Sequence, residues 1–104
     1  MGEDLNEKVD PSIITDIWSV ICDRAKNPIP DSYTYRLLKD PKGIDKVLEK
    51  VGEESIEFII SVKNGASKQT TEEAADLIFH LLVALRAADI DLEDVLYELK
   101  HRQK

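Results

Sequence analysis

Three glutamates, Glu53, Glu54 and Glu57, sit within five residues of one another, and a second stretch carries Glu73, Asp76 and His80. At about 100° per residue each set falls on one side of a helix. The two stretches are separated by a turn signal at Gly65, so they run antiparallel and their acidic stripes face each other across one groove. Lys46 and Lys50 are too few to neutralise five converging carboxylates. Ionised carboxylates without partners are costly to bury, so a further cation is required. Hard oxygen donors without cysteine suit Mg²⁺, with Mn²⁺ as the substitute. Magnesium held this way also binds phosphates and acidifies water, and a spare carboxylate can take the proton. The chemistry implied is cleavage of a nucleotide phosphoanhydride.

Helices must position these residues. Lys42 to Asn64 reads as one long helix, closed by Gly65 in a positive-φ cap. Its polar arc holds Lys46, Lys50, Glu53, Glu54, Glu57, Ser61 and Asn64. The apolar arc, from Val47 and Leu48 through Ile56, Ile59 and Ile60 to Val62, covers more than half the circumference. So wide an arc calls for several neighbours, and in a chain this short a second copy is the economical source. A second helix runs from the Ser67–Thr71 region to about Ala88. Between Leu77 and Leu85 only His80 is not apolar, which predicts burial nearly all round.

Shorter elements flank this pair. Asp10-Pro11 reads as a helix cap and first turn, opening a helix that ends near Asn27-Pro28. Pro28 to Ser32 is a loop, and Ser32 to Leu38 forms one or two turns before Pro41. Asp91 caps a last helix with Leu92, Val95, Leu96 and Leu99 as its buried stripe. The expected architecture is all-α: a bundle-like domain of four to five antiparallel helices, residues 10–104, with the site between the two central ones. Residues 1–9 are expected to be a flexible N-terminal segment.

Composition limits the alternatives. The 104 residues allow one modest core. A formal charge of -7 argues against coating nucleic acid or an anionic membrane. No run approaches the ~18 apolar residues of a membrane span, and the N-terminus lacks a secretory apolar region. A single cysteine, Cys22, excludes an internal disulfide and fits a reducing compartment, so the expected location is cytoplasmic. Cys22 itself reads as core.

The wording of the motifs is more specific than their charges. Lys50-x-x-Glu53-Glu54-x-x-Glu57 followed by Glu73-x-x-Asp76 resembles the signature of the all-α nucleoside triphosphate pyrophosphohydrolases. With Ser32-Tyr33-Thr34, KVGEESIEFIISVKNG, EAADLIFHLLVAL and Leu92-Glu93-Asp94-Val95, the chain is similar to the phosphoribosyl-ATP pyrophosphohydrolases of histidine biosynthesis from about Ile17 onward. Asp31 and Phe79 depart from the usual wording. The resemblance implies Mg²⁺-dependent hydrolysis of phosphoribosyl-ATP to phosphoribosyl-AMP and pyrophosphate, by a homodimer or higher homo-oligomer. It implies a metal set of Glu53, Glu54, Glu57, Glu73 and Asp76, with one of the glutamates orienting or deprotonating water. Lys50 would meet phosphate or developing charge, and Ser32, Tyr33 and Thr34 would meet substrate. A stand-alone hydrolase is expected.

Other readings compete with these. The rival substrate class is dUTP, dCTP or non-standard triphosphates, handled by a house-cleaning pyrophosphohydrolase. A carboxylate-bridged di-iron bundle needs Glu-x-x-His pairs, and position 79, three after Asp76, is phenylalanine. A non-catalytic interaction module would use the acids as a solvated face. Residue by residue, Lys50, Glu53 and Glu57 could form a surface charge ladder and Thr70-x-x-Glu73 a capping box. His80 is read as a packed, hydrogen-bonded histidine with Asp76, one turn back, as its candidate partner.

Overall fold

The computed structural model describes residues 8–103. Five helices follow in order: α1 (Ile13–Lys26), α2 (Tyr33–Leu38), α3 (Ile44–Lys63), α4 (Ser67–Ala87) and α5 (Leu92–His101). No strand occurs among the described residues. The all-α expectation is met, and the N-terminal segment expected to be flexible falls largely outside the described residues.

The boundaries follow from local chemistry. Asp10 does not cap α1 directly. Its Oδ1 accepts from Ser12 N–H at 2.9 Å and its carbonyl accepts from Ile13 N–H at 3.0 Å. Pro11 and Ser12 are therefore spent in a turn, and the helix begins two residues later than its sequence signals suggest. Ser32 caps α2, its hydroxyl accepting from Tyr35 N–H at 3.2 Å. The long helix begins at Ile44 and not Lys42, because Gly43 turns the chain at φ 64° and ψ -139°. Gly65, at φ 68°, closes α3 as expected, and Ala66 N–H reaches back to the Ser61 carbonyl at 3.1 Å. Asp91 caps α5 through Glu93 N–H at 3.1 Å.

The α3–α4 pair is the spine of the molecule. Ser61 meets Thr70 near the turn, with 3.0 Å between hydroxyl oxygens, and Glu57 meets Glu73 one turn further away. Partners that recede from the turn together define an antiparallel pair. Thr70 is thus inside α4 and donates across the groove, which removes the capping-box reading. Ser61, placed in the polar arc by periodicity, is fully buried: its hydroxyl donates to the Phe58 carbonyl at 2.8 Å and accepts from Thr70. A satisfied hydroxyl can occupy a core position at little cost.

Ile21, Leu37, Val47, Leu82, Val83 and Leu92 form the buried core, one or two from each helix. At roughly 1.5–3 kcal/mol per fully buried aliphatic side chain, this is a small reserve for such a chain. Two burial expectations fail. The apolar run of α4 is not buried all round: Ile78 and Leu81 are nearly half exposed, whereas His80 is buried. On α5 only Leu92 is fully buried, and Leu99 is exposed. The physical reason is shared, since α5 packs lightly and, among the described residues, no other element covers the outer faces of α3 and α4. Ile56, Ile59, Ile60 and Val62 of α3 are likewise 49–59% exposed.

Candidate carboxylate site

The groove between α3 and α4 gathers part of the expected set at short range. Glu54, Glu57 and Glu73 each offer a carboxylate oxygen, and these oxygens lie within 4.8 Å of one another. Glu54 is buried, Glu73 half-buried and Glu57 exposed. The i, i+3 offset of Glu54 and Glu57 puts both on the α4 side of α3, and the antiparallel register brings Glu73 opposite. Glu53 and Asp76 stand at the margin, both exposed. Glu53 pairs with Lys50 at 3.3 Å, and Asp76 acts on Glu73 through its charge.

Electrostatics single out this trio. Glu54 Oε1 and Glu73 Oε1 are shielded from solvent and have no hydrogen-bond partner among the described residues. Lys50 Nζ stands 3.9 Å from Glu54 Oε2, so it serves only the other oxygen of that carboxylate. Burial pushes the Glu73 carboxyl above its ordinary value of 4.5. The nearby charges of Glu54 and Asp76 push the same way, and Glu57 opposes them. Orphaned oxygens in a low-dielectric groove are unfavourable unless a cation meets them. The donors are all hard carboxylate oxygens, so the residues present fit a hard divalent cation. The solvated-ladder reading accounts for Lys50 and Glu53 but not for the two orphaned oxygens.

Lys50 links this groove to its surroundings. Partial burial disfavours its charge, but the hydrogen bond to Glu53, the Tyr33 phenol and the Glu53 and Glu54 carboxylates together raise its pKa. The phenol of Tyr33 is also raised, first by burial and then by Glu54, Asp76 and Glu53, with Lys50 opposing. Tyr33 therefore lies within the field of both the cation and the acids.

Of the Ser32-Tyr33-Thr34 motif, only Tyr33 is strongly exposed. The Ser32 hydroxyl is used by the α2 cap, and Thr34 is buried at 8% exposure. Tyr33 is held by His80, whose Nε2 is 2.9 Å from the phenol oxygen. The other ring nitrogen, Nδ1, is 2.8 Å from the Asp76 carbonyl. A carbonyl can only accept, so in the neutral ring Nδ1 carries the proton and Nε2 accepts from the Tyr33 hydroxyl. The histidine thus bonds to the backbone of Asp76, not to its carboxylate. Phe79 closes the cluster, its ring centroid 6.3 Å from Tyr33 and 5.2 Å from His80.

A second cavity opens between α2 and α3, about 290 Å³ and lined by Tyr33, Arg36, Leu37, Asp40, Lys46 and Lys50. No local signal in the sequence connects Arg36 or Asp40 with this cavity, because nothing local reveals how α2 docks. The repeat of Lys46 and Lys50 at i, i+4 was the visible signal.

Frame and groove together define a class, all-α proteins that carry a carboxylate cluster between two antiparallel helices. Comparison with known proteins narrows it. The family model for phosphoribosyl-ATP pyrophosphohydrolase matches residues 14–103. A protein of Methanoregula boonei named phosphoribosyl-ATP pyrophosphatase is 62% identical over 104 residues, covering all of both chains. Proteins of the same name from Methanosphaerula palustris and Methanoculleus marisnigri are 57% and 53% identical, each over 95 residues. Those matches take in 91% of this chain, and 96% and 98% of the relatives. The chain belongs to the phosphoribosyl-ATP pyrophosphohydrolase family.

Proposed function

We propose that residues 10–104 form a single catalytic domain that hydrolyses phosphoribosyl-ATP to phosphoribosyl-AMP and pyrophosphate, the second step of histidine biosynthesis. The family supplies the substrate. The observation that carries the chemistry is the trio Glu54, Glu57 and Glu73, with two buried, unpartnered oxygens. These three would hold a divalent cation, Mg²⁺ or Mn²⁺, with Glu53 and Asp76 completing the set from the margin. When bound, the cation neutralises the substrate's phosphates and acidifies water.

The chain's own groups do the rest. A water oxygen attacks phosphorus at the α–β linkage, the bridging P–O bond breaks, and pyrophosphate leaves with the electron pair. A glutamate of the set orients that water and takes its proton. Lys50, kept charged by Glu53 and Glu54, meets phosphate or the charge that develops as the bond breaks. Tyr33 contacts the substrate, and Ser32 and Thr34 serve the same contact by capping and anchoring α2 beneath it.

Two broader properties belong to the same reading. The exposed isoleucines of α3, with Ile78 and Leu81 of α4, support a homodimer or higher homo-oligomer that covers this face. No described helix is long and apolar enough to cross a membrane, and the single half-buried thiol, Cys22, supports a reducing, cytoplasmic location.

Purified protein should be given phosphoribosyl-ATP, dUTP, dCTP and ATP with Mg²⁺, and products followed by phosphorus NMR. Phosphoribosyl-ATP should be the preferred substrate and give pyrophosphate. Turnover of dUTP or dCTP without phosphoribosyl-ATP would reassign the enzyme to triphosphate house-cleaning.

A further inference from the structure

The cavity between α2 and α3 has the opposite charge to the groove beside it. Three cations, Arg36, Lys46 and Lys50, line it against one acid, Asp40. That acid is committed to the turn before α3, where its Oδ1 accepts from Lys42 N–H at 2.9 Å. Lys46 is half-buried and forms no ion pair among the described residues. It also stands one turn from Lys50, a like-charge pairing that by itself weakens a helix. Arg36 gives one N–H to the Pro30 carbonyl at 3.3 Å and keeps its remaining donors. Lys50 joins the two regions, reaching Glu53 and Glu54 from the cavity wall.

A substrate with two separated anionic ends fits such a pair of regions. The carboxylates repel a bare phosphate, so the triphosphate end must reach them with a metal cation. The cationic cavity needs no metal to bind an anion. From Lys46 to Glu57 the α3 axis rises roughly 16 Å, which leaves space for a nucleoside between the two ends.

We propose that this cavity is a metal-independent subsite for a phosphate monoester, the terminal phosphate of a phosphoribosyl group, held directly by Lys46 and Arg36. The proposal rests on the substrate class assigned above and gives that choice a physical basis. An ordinary nucleoside triphosphate has no second anionic end and leaves these cations unmet.

Two measurements test it. Metal-free protein in EDTA is titrated with ribose 5-phosphate or with ribose, followed by amide NMR shifts. Ribose 5-phosphate should give saturable shifts along α2 and around Lys46–Lys50, and ribose none. Lys46→Gln and Arg36→Gln, on different helices, should each weaken binding by about tenfold. Absence of saturable shifts, or equal binding by both variants and the parent, overturns the subsite. The second measurement is the preference, in kcat/KM, for phosphoribosyl-ATP over its dephosphorylated form ribosyl-ATP. That preference should fall about tenfold in each variant, and a preference that survives intact contradicts the proposal. Should the parent protein turn over neither compound, the assigned reaction fails, while the ribose 5-phosphate titration still decides the subsite.

Discussion

On the proposed reading, Glu73 sets stability against function. Its folded carboxyl is raised above the ordinary value of 4.5, so the folded metal-free chain binds that proton more tightly than the unfolded chain. The ionised group is therefore destabilising, fully above the folded pKa, and the effect disappears as pH falls through the folded pKa to below the unfolded one. Glu73→Gln should raise the melting temperature of EDTA-treated protein at neutral pH and lose the stabilisation that added Mg²⁺ gives the parent, as scanning calorimetry can measure. Turnover should fall by more than about 100-fold in Glu73→Gln and Glu57→Gln, with the helical circular dichroism retained. Glu53→Gln should lose only about tenfold, because Glu53 meets Lys50 and not the trio. His80 belongs to the same scale. Tyr33→Phe leaves the buried His80 Nε2 without its donor and should cost about 1–3 kcal/mol of unfolding free energy in urea titration.

At the scale of elements, two glycines set the ends of α3. Gly65 sits at φ 68° with open space where a Cβ would project, so only the backbone opposes a side chain there. Gly65→Ala should cost ~1 kcal/mol and Gly65→Asn less. Gly43 combines φ 64° with ψ -139°, a region nearly closed to other residues, and Gly43→Ala should cost more, ~1–3 kcal/mol by denaturant unfolding. Gly65 was legible in the sequence because it follows a long periodic stretch; Gly43 was not, because Pro41 and Lys42 gave an equally good start. The i, i+3 and i, i+4 spacings showed which acids share a face, and the short turn showed that the faces meet. They could not show that Glu54 is buried while Glu53 lies one step round the helix beside Lys50. That depends on the rotation of α3 against α4, which the wide apolar arc leaves underdetermined. Ser61 and His80 are the same lesson, polar residues whose burial is decided by a partner on another helix.

Across the whole molecule, the overall charge of -7 takes on a specific meaning. Setting aside the five proposed site acids brings acids and bases near balance, so much of the acidity is local. On the proposed reading, it is arranged to bind a polyanion through a cation. The exposed apolar face of α3 and α4 is the other global feature, and sedimentation at micromolar concentration should give a dimer or larger assembly. Ile59→Glu, at a position 56% exposed in the single chain, should shift that assembly toward monomer while helicity persists. The carboxylate centre itself is tested most directly by titrating Mn²⁺ into the parent protein and a Glu54→Gln/Glu73→Gln double variant, reading free Mn²⁺ by electron paramagnetic resonance. The expected result is saturable binding by the parent that is lost in the variant, with circular dichroism unchanged; equal Mn²⁺ binding by the two proteins would contradict a metal centre built on Glu54, Glu57 and Glu73.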